Sequence, residues 1–422
     1  MRLLKLGIYH PTYLQDFYAK RSELKRQPYL VQHGVLIDDC FGSSNFWTDA
    51  LTELNYQTTD IIANAEFLQT TWASENGVNF DENDWLFEIA AAQIKRFRPD
   101  VLLVADYSTF SADFLKNIRR ECSSVRLILG WCGAPYNDSS VFREWDIALS
   151  CVPELVADFR AKGISSHHVN HAFAPRILNR LNLKSEPNID FAFVGSILKQ
   201  NQFHIERERL LLELVKSTNL RIWSDVKRPS RKQRLNVFVR RKAHDFVTAA
   251  RRASVPEQLL NTLPLVRKIA GWDAPPTLEQ YVDERIARRT HSPIFGLEMF
   301  QQLRDARVVF NNHIDISPIS ASSMRLFETT GVGACLLTDW KENLSELFEP
   351  DKEVLTYRTA AECVEKVIYI LEHEDERCSI AAAGQLRTLR EHTFENRAAR
   401  IDEIIRKNIN SRFKIQNSKF TT

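Results

Sequence analysis

Two successive doubly wound α/β domains of Rossmann-like type, facing a common cleft, are what this 422-residue chain predicts. Three observations carry that expectation. Short apolar runs alternate with amphipathic segments from residue 3 to about residue 173, the pattern of parallel strands covered on both faces by helices. A polar stretch with Pro175 and Pro187 then interrupts the alternation, which restarts at Asp190. Glycines number only 13 and no G-x-G-x-x-G follows a predicted strand, which argues against a dinucleotide redox cofactor. The expected organisation is a first domain at 1–174, a linker at 175–188, a second domain at 189–408 with a basic helical insert at 226–290, and a polar tail at 409–422.

In order, Leu3–Tyr9 reads as the first strand, and residues 11–42 as a long irregular segment. Segments of that kind inside compact domains are uncommon and usually functional. A helix at Ser44–Leu54, a strand at Gln57–Ala63 and a helix at Glu82–Phe97 follow. Pro99 introduces the strand Val101–Asp106; after it come a helix at Ala112–Cys122, strands at Arg126–Trp131 and Ile147–Val152, a helix at Pro153–Lys162 and a strand at His167–Phe173. Beyond the linker the expected elements are Asp190–Ser196, the helix Ile205–Thr218, Leu220–Ser224, helices at Asn236–Ala250 and Pro256–Gly271, and the strand Val308–Asn312. The strand Val354–Tyr357 and three helices to about Asn408 complete the chain.

Composition narrows the class. Apolar content of 44%, charge of 26% and a net charge of +2 are those of an ordinary folded protein, and the global balance does not call for a polyanion. Met1–His10 is too short and too lightly apolar for a secretory segment, and no run approaches the roughly 18 apolar residues of a membrane span. Seven scattered cysteines without C-x-x-C spacing point to reduced thiols in the cytoplasm and away from a zinc site. His167, His168 and His171 are close in sequence, but strand alternation turns 167 and 168 to opposite faces, so no metal is expected.

The segment Ser317–Pro350 is the informative one. Pro318 and the serines Ser320, Ser322 and Ser323 precede a helix at Met324–Thr330, Gly331 and Gly333 end it, and Ala334–Thr338 reads as a buried strand. A helix opening on such a loop offers free N–H groups to a phosphate. Arg325 and Glu328, three apart, share a face: the guanidinium would neutralise a diphosphate and the carboxylate would accept from ribose hydroxyls. The plain alternative is a solvated surface pair.

This segment resembles the signature of the CgeB-type (spore maturation protein-like) glycosyltransferases. It carries Arg325, Phe327, Glu328, Gly331, Gly333 and Leu336 to Asp339, then Leu344, Leu347 and Phe348, then Gly384, Arg387, His392, Thr393 and Arg397. The likeness covers roughly 191–405 and implies a GT-B fold, a nucleotide-sugar donor with no other cofactor, and a glycan or lipid-linked acceptor held by the N-terminal domain. Related GT-B enzymes often place a second acid eight positions before the first; here that position is Ser320.

For the donor, the candidates are Gly195, Ser196, Arg207, Asn311, Asn312, Ser322, Ser323, Arg325 and Glu328. The two asparagines read equally as a turn with satisfied amides. For a general base, the candidates are His10 at the end of the first strand, Asp39 before the first helix and Asp106 at the end of Val101–Asp106. Asp39 would otherwise cap the next helix, and Asp106 would bond to turn amides. Residues 226–290 hold 15 Lys or Arg against 6 acids, which fits either a covering insert with a solvated basic face or an amphipathic surface for peripheral contact with the inner face of a membrane. The function expected is sugar transfer in cell-envelope or surface glycan synthesis. The competing readings are a nucleotide-sugar epimerase or hydrolase on the same fold, and a non-catalytic scaffold binding membrane or nucleic acid through the insert; for the transferase, no nucleic-acid partner is expected.

Overall fold

The computed structural model describes residues 1–136, 138–197, 204–256, 278 and 280–418, with side chains as far as 410. The first six strands are β1 (Arg2–Gly7), β2 (Gln57–Ile62), β3 (Val101–Val104), β4 (Leu127–Trp131), β5 (Ile147–Ser150) and β6 (Ser166–His168). They form one parallel sheet in the order β2-β1-β3-β4-β5-β6. A second sheet orders β12-β11-β10-β7-β8-β9. Its strands are β7 (Ile189–Val194), β8 (Arg221–Trp223), β9 (Thr290–His291), β10 (Ala306–Asn311), β11 (Cys335–Asp339) and β12 (Leu355–Tyr357). Central strands such as β3 are buried along their whole length, as near-continuous Val/Leu runs require when helices cover both faces. The fold is GT-B: two Rossmann-like sheets with flanking helices.

Most predicted elements stand where the apolar periodicity puts them, within a few residues at their ends. The clearest correction concerns residues 11–42, which are largely helical: Pro11–Lys20, a 3-10 turn at Ser22–Arg26, and Tyr29–Asp38. Pro11 supplies a preset first helical position, and Tyr13, Leu14, Phe17 and Tyr18 bury a helical stripe. A further helix, Glu66–Glu75, follows β2. The strand expected at His167–Phe173 stops at His168, with Phe173 making only a single bridge to Thr393. The helix Phe394–Ser418 runs well past 408, through most of the stretch read as a tail. Pro256 is described but the rest of the expected helix Pro256–Gly271 lies outside the described residues.

By contact the chain groups into two compact units, residues 1–192 with 294–422, and residues 193–293. Within the first unit the C-terminal helix packs chiefly against the helix Phe46–Thr52 that precedes β2. Phe394 meets Phe46 and Trp47 at centroid distances of 5.0 and 4.9 Å, and the Tyr56 hydroxyl donates to Asp402 at 2.6 Å. A buried ion pair, Lys5 to Asp60 at 2.8 Å, lies across the β1–β2 register, where those two residues are partners. Once buried, neither charge tolerates losing the other, so the pair holds one register against its neighbours.

Much of the C-terminal signature serves this packing. Arg397 donates to His392 Nδ1 at 2.8 Å, so Nε2 carries the proton and donates to the Leu347 carbonyl at 2.8 Å. Burial, with Arg397 beside it, lowers the His392 pKa to about 4 and keeps the ring neutral. A Cβ on Gly331 would lie 2.3 Å from the Phe173 ring, and one on Gly384 would lie 2.3 Å from the Glu353 carbonyl oxygen. Since a backbone oxygen cannot swing aside, Gly384→Ala should cost about 1–3 kcal/mol. Gly34→Ala, in a helix interior with open space around it, should stabilise by about 0.5–1 kcal/mol. Urea-unfolding midpoints of the two variants, moving in opposite directions, check both.

Candidate functional site

The strand β10 ends in Asn311, and the chain then loops through a serine-rich stretch to the helix Arg325–Gly331. That loop is stitched to the residues after β11. Ala321 N–H donates to the Asn343 side chain at 2.6 Å, Glu342 N–H to the Ile319 carbonyl at 2.9 Å, and Lys341 Nζ to the Pro318 carbonyl at 2.9 Å. From the strand end a relay of side chains reaches the helix. Asn311 Nδ2 donates to Thr338 Oγ1 at 2.9 Å, Ser323 Oγ donates to Asn311 Oδ1 at 3.1 Å, and the Arg325 N–H donates to Ser323 Oγ at 3.2 Å. The helix start is therefore less open than the sequence suggests, because one of its N–H groups is already taken.

Arg325 and Glu328 do share a helix face, and the face is buried rather than solvated. Arg325 Nη1 lies 2.7 Å from Glu328 Oε2, with the two side chains 14% and 6% exposed. Arg325 Nη1 also touches Met299 Sδ at 3.3 Å. Burial raises the Glu328 pKa, and the Arg325 charge offsets that only in part. The contact is close but poorly aligned, so Oε2 has no hydrogen-bond donor among the described residues. A buried carboxylate oxygen left in that state is a strong acceptor for a hydroxyl or N–H that arrives with a ligand.

At the ends of β10 and β11 stands a second pair that the sequence reading passed over. His313 donates both its backbone N–H (3.0 Å) and Nδ1–H (2.7 Å) to Asp339 Oδ1, and Lys341 Nζ lies 3.2 Å from Oδ2. Burial alone would raise the Asp339 pKa, yet the charge and hydrogen bonds of His313, with Lys341, outweigh it and leave the carboxyl at about 2. The imidazole is fully enclosed, and its Nε2 has no partner among the described residues. The signal lay in the register: Asn311 pairs with Thr338 across parallel strands, so the residues just beyond both strand ends must be neighbours.

The remaining predicted residues fall elsewhere. Asn312, Ser322 and Ser320 are buried in the loop region after β10. In the other unit, Gly195 follows β7, and its N–H donates to the Trp223 carbonyl at 3.1 Å. Arg207 Nη1 donates to the Ser196 carbonyl at 2.9 Å and lies 3.1 Å from His204 Nε2, an arrangement that secures the turn after β7. Among the expected bases, Asp106 lies beyond the end of β3 and accepts from the Ser108 and Thr109 N–H groups at 3.1 and 2.6 Å, the turn-amide arrangement. Asp39 does not cap the next helix, whose N-cap is Asn45; it stands at the C-cap of Tyr29–Asp38, its side chain accepts from the Tyr13 hydroxyl at 2.9 Å and from Arg21 at 3.3 Å, and its carbonyl receives the Leu297 N–H at 2.8 Å. His10 is exposed, just before the helix Pro11–Lys20. No hydrogen bond joins any two of these three among the described residues. His168 Nε2 pairs with the Cys151 carbonyl, and no group of three His, Cys, Asp or Glu among the described residues is placed to hold a metal ion.

A family described as glycosyl transferase-like matches residues 183–403, just over half of the chain. No curated protein matches. Among solved structures, sucrose-phosphate synthase from Thermosynechococcus elongatus is 9% identical with a TM-score of 0.52, covering 97% of this chain and 100% of its own. Anabaena HepE in complex with UDP and glucose is 10% identical with a TM-score of 0.53, covering 96% and 100%. A glycosyltransferase from Rickettsia africae is 8% identical with a TM-score of 0.50, covering 97% and 98%. At such identities the likeness is one of fold.

The Asp339 shift has a sign that can be measured. A carboxyl whose folded pKa lies near 2 rather than 3.8 adds stability that is present above about pH 4 and is lost as pH falls toward 2. Asp339→Asn should therefore cost about 2 kcal/mol at pH 7 and roughly half of that near pH 3. Urea titrations of both proteins at the two pH values measure the difference.

Proposed function

The chain belongs to the glycosyl transferase-like family, and on that footing we propose that it moves a sugar from a nucleoside-diphosphate donor to an acceptor hydroxyl. The observation that carries this reading is the buried Arg325–Glu328 pair, whose carboxylate keeps an unfilled acceptor oxygen on the helix after β10. Ligands of parallel α/β sheets bind beyond the carboxyl ends of the strands, and this pair follows such an end. In the proposal Glu328 accepts from the ribose hydroxyls and Arg325 neutralises the diphosphate. As the bond from the anomeric carbon to the leaving phosphate breaks, charge grows on that phosphate, and a guanidinium in a water-poor site stabilises it. Asn311 and Ser323 hold the start of the helix Arg325–Gly331, and the buried Ser322 lies in the same loop.

An inverting transfer also requires a group to take the acceptor hydroxyl's proton. Asp39 and Asp106 are engaged in holding their own surroundings. His10, exposed at the end of β1, makes no side-chain hydrogen bond among the described residues, and we assign that role to it. The CgeB-type signature and a glycan or lipid-linked acceptor in envelope or surface glycan synthesis are the finer form of the same proposal. Support for a uridine donor comes from structures of similar fold: HepE was solved with UDP and with UDP-glucose.

Calorimetric titration with UDP and other nucleoside diphosphates tests the donor site. Glu328→Gln, which keeps the shape and removes the charge, should weaken binding by about 1–3 kcal/mol. The natural chain should lose affinity on acidification from a pH above the usual carboxylate range, because burial raises the Glu328 pKa. An unchanged titration in a folded Glu328→Gln protein removes the assignment. His10→Ala should leave nucleotide affinity intact and lower turnover by about 10²-fold or more; donor consumed at full rate with no acceptor present would instead favour a hydrolase.

A further inference from the structure

The helix Arg231–Arg252 is the longest element among the described residues of the unit 193–293, and only Val247 of it is buried. It is well set at its start by a capping box: Gln233 N–H donates to Ser230 Oγ at 3.2 Å, and Ser230 N–H to Gln233 Oε1 at 2.8 Å. Arg234 is anchored to Glu284 at 3.0 Å. On its packed side only Val247 is fully buried, with Val237 and His244 half-buried. The opposite side carries Leu235, Phe238, Val239 and Phe246, at 63, 58, 55 and 67% exposure. Their spacing of i, i+3, i+4 and i+11 puts all four on one stripe of a helix.

An apolar stripe of this kind on water is unusual, and its setting indicates what covers it. Within the helix stand eight Lys or Arg and a single acid, Asp245. Lys242 lies in the stripe itself, its ammonium 5.9 Å from the centre of the Phe238 ring. Long cationic side chains lay their methylenes on apolar surface and carry the charge outward, toward phosphate groups. Nucleic acid would use the cations and leave Leu235, Phe238, Val239 and Phe246 in water. A protein groove would take the apolar residues but gains little from so many cations. A lipid surface with anionic headgroups uses both at once, the rings at the acyl boundary and the cations at the phosphates. No helix among the described residues is long and apolar enough to cross a membrane, so the fit is to a surface.

We propose that the helix Arg231–Arg252 is a docking surface for anionic lipid, entered by Leu235, Phe238, Val239 and Phe246 and held by the flanking cations. This is independent of the donor chemistry. The test is co-sedimentation of the full chain with vesicles of phosphatidylcholine alone and of phosphatidylcholine with 30% phosphatidylglycerol. Binding is expected to the anionic vesicles, to fall steeply with salt, and to drop roughly tenfold or more in Phe238→Ser/Phe246→Ser, with the melting temperature unchanged. Arg241→Glu/Lys242→Glu, which leaves the apolar stripe intact, should lose the preference for anionic over neutral vesicles.

Any of the following results overturns the proposal. One is no binding to either vesicle by the natural chain. A second is vesicle binding that survives Phe238→Ser/Phe246→Ser, or duplex nucleic acid bound more tightly than vesicles. The last is a dimer in light scattering that the phenylalanine double variant converts to monomer, which would make the stripe a contact between copies.

Discussion

Glu328 has been taken out of water beside one guanidinium, and the surroundings of the C-terminal sheet's candidate site follow from keeping that tolerable. An unpaired carboxylate at this depth would cost several kcal/mol, so Arg325 has to stay within a few ångströms of it. Arg325 stays there because its helix start is tied through Ser323 to Asn311 and on to Thr338. Those last two residues are partners across β10 and β11, which makes the site's geometry a consequence of strand register. Glu328 Oε2, though 2.7 Å from Arg325 Nη1, accepts no hydrogen bond among the described residues.

At the ends of β10 and β11, His313 and Asp339 form a pair of opposite character. Here the carboxylate is well supplied, with two donors from one residue and an ammonium nearby, and it is pinned in its charged form. One buried acid is thus rigid and saturated while the other is rigid and short of a donor. The contrast is physical: similar burial, different numbers of donors. The well-supplied pair braces the end of β11, and the undersupplied one is the better candidate for meeting a ligand.

The signature running from Arg325 to Arg397 divides along the same line. Gly333, at φ +82°, takes a backbone conformation that side chains with a Cβ rarely adopt, and Gly331 lets the Phe173 ring close against the helix. His392 and Arg397 bind each other and the Leu347 and His171 carbonyls. Spacing alone cannot separate residues that meet substrate from residues that let two segments touch, since both need a fixed position. Asp106 shows the same limit at the end of β3, where a carboxylate placed as a base proves to be the acceptor of its own turn. Residues 11–42 show the converse: aromatic and polar side chains look irregular in a row, yet Tyr13, Phe17 and Phe41 pack together once Pro11–Lys20 coils, with Tyr13 and Phe41 stacked at 3.8 Å.

The alternation of apolar runs with amphipathic segments was enough, on its own, to determine two parallel α/β sheets, because a strand buried on both faces and a helix with one apolar side leave distinct periods in a chain. Local spacing likewise put Arg325 and Glu328 on one face and marked the basic excess between 226 and 290. Only the tertiary structure decided that the Arg325–Glu328 pair is buried, that His313 meets Asp339, and that Leu235, Phe238, Val239 and Phe246 of Arg231–Arg252 are exposed. Burial and pairing between distant residues depend on which elements come to lie side by side, and a period read along one segment contains nothing about its neighbours in space.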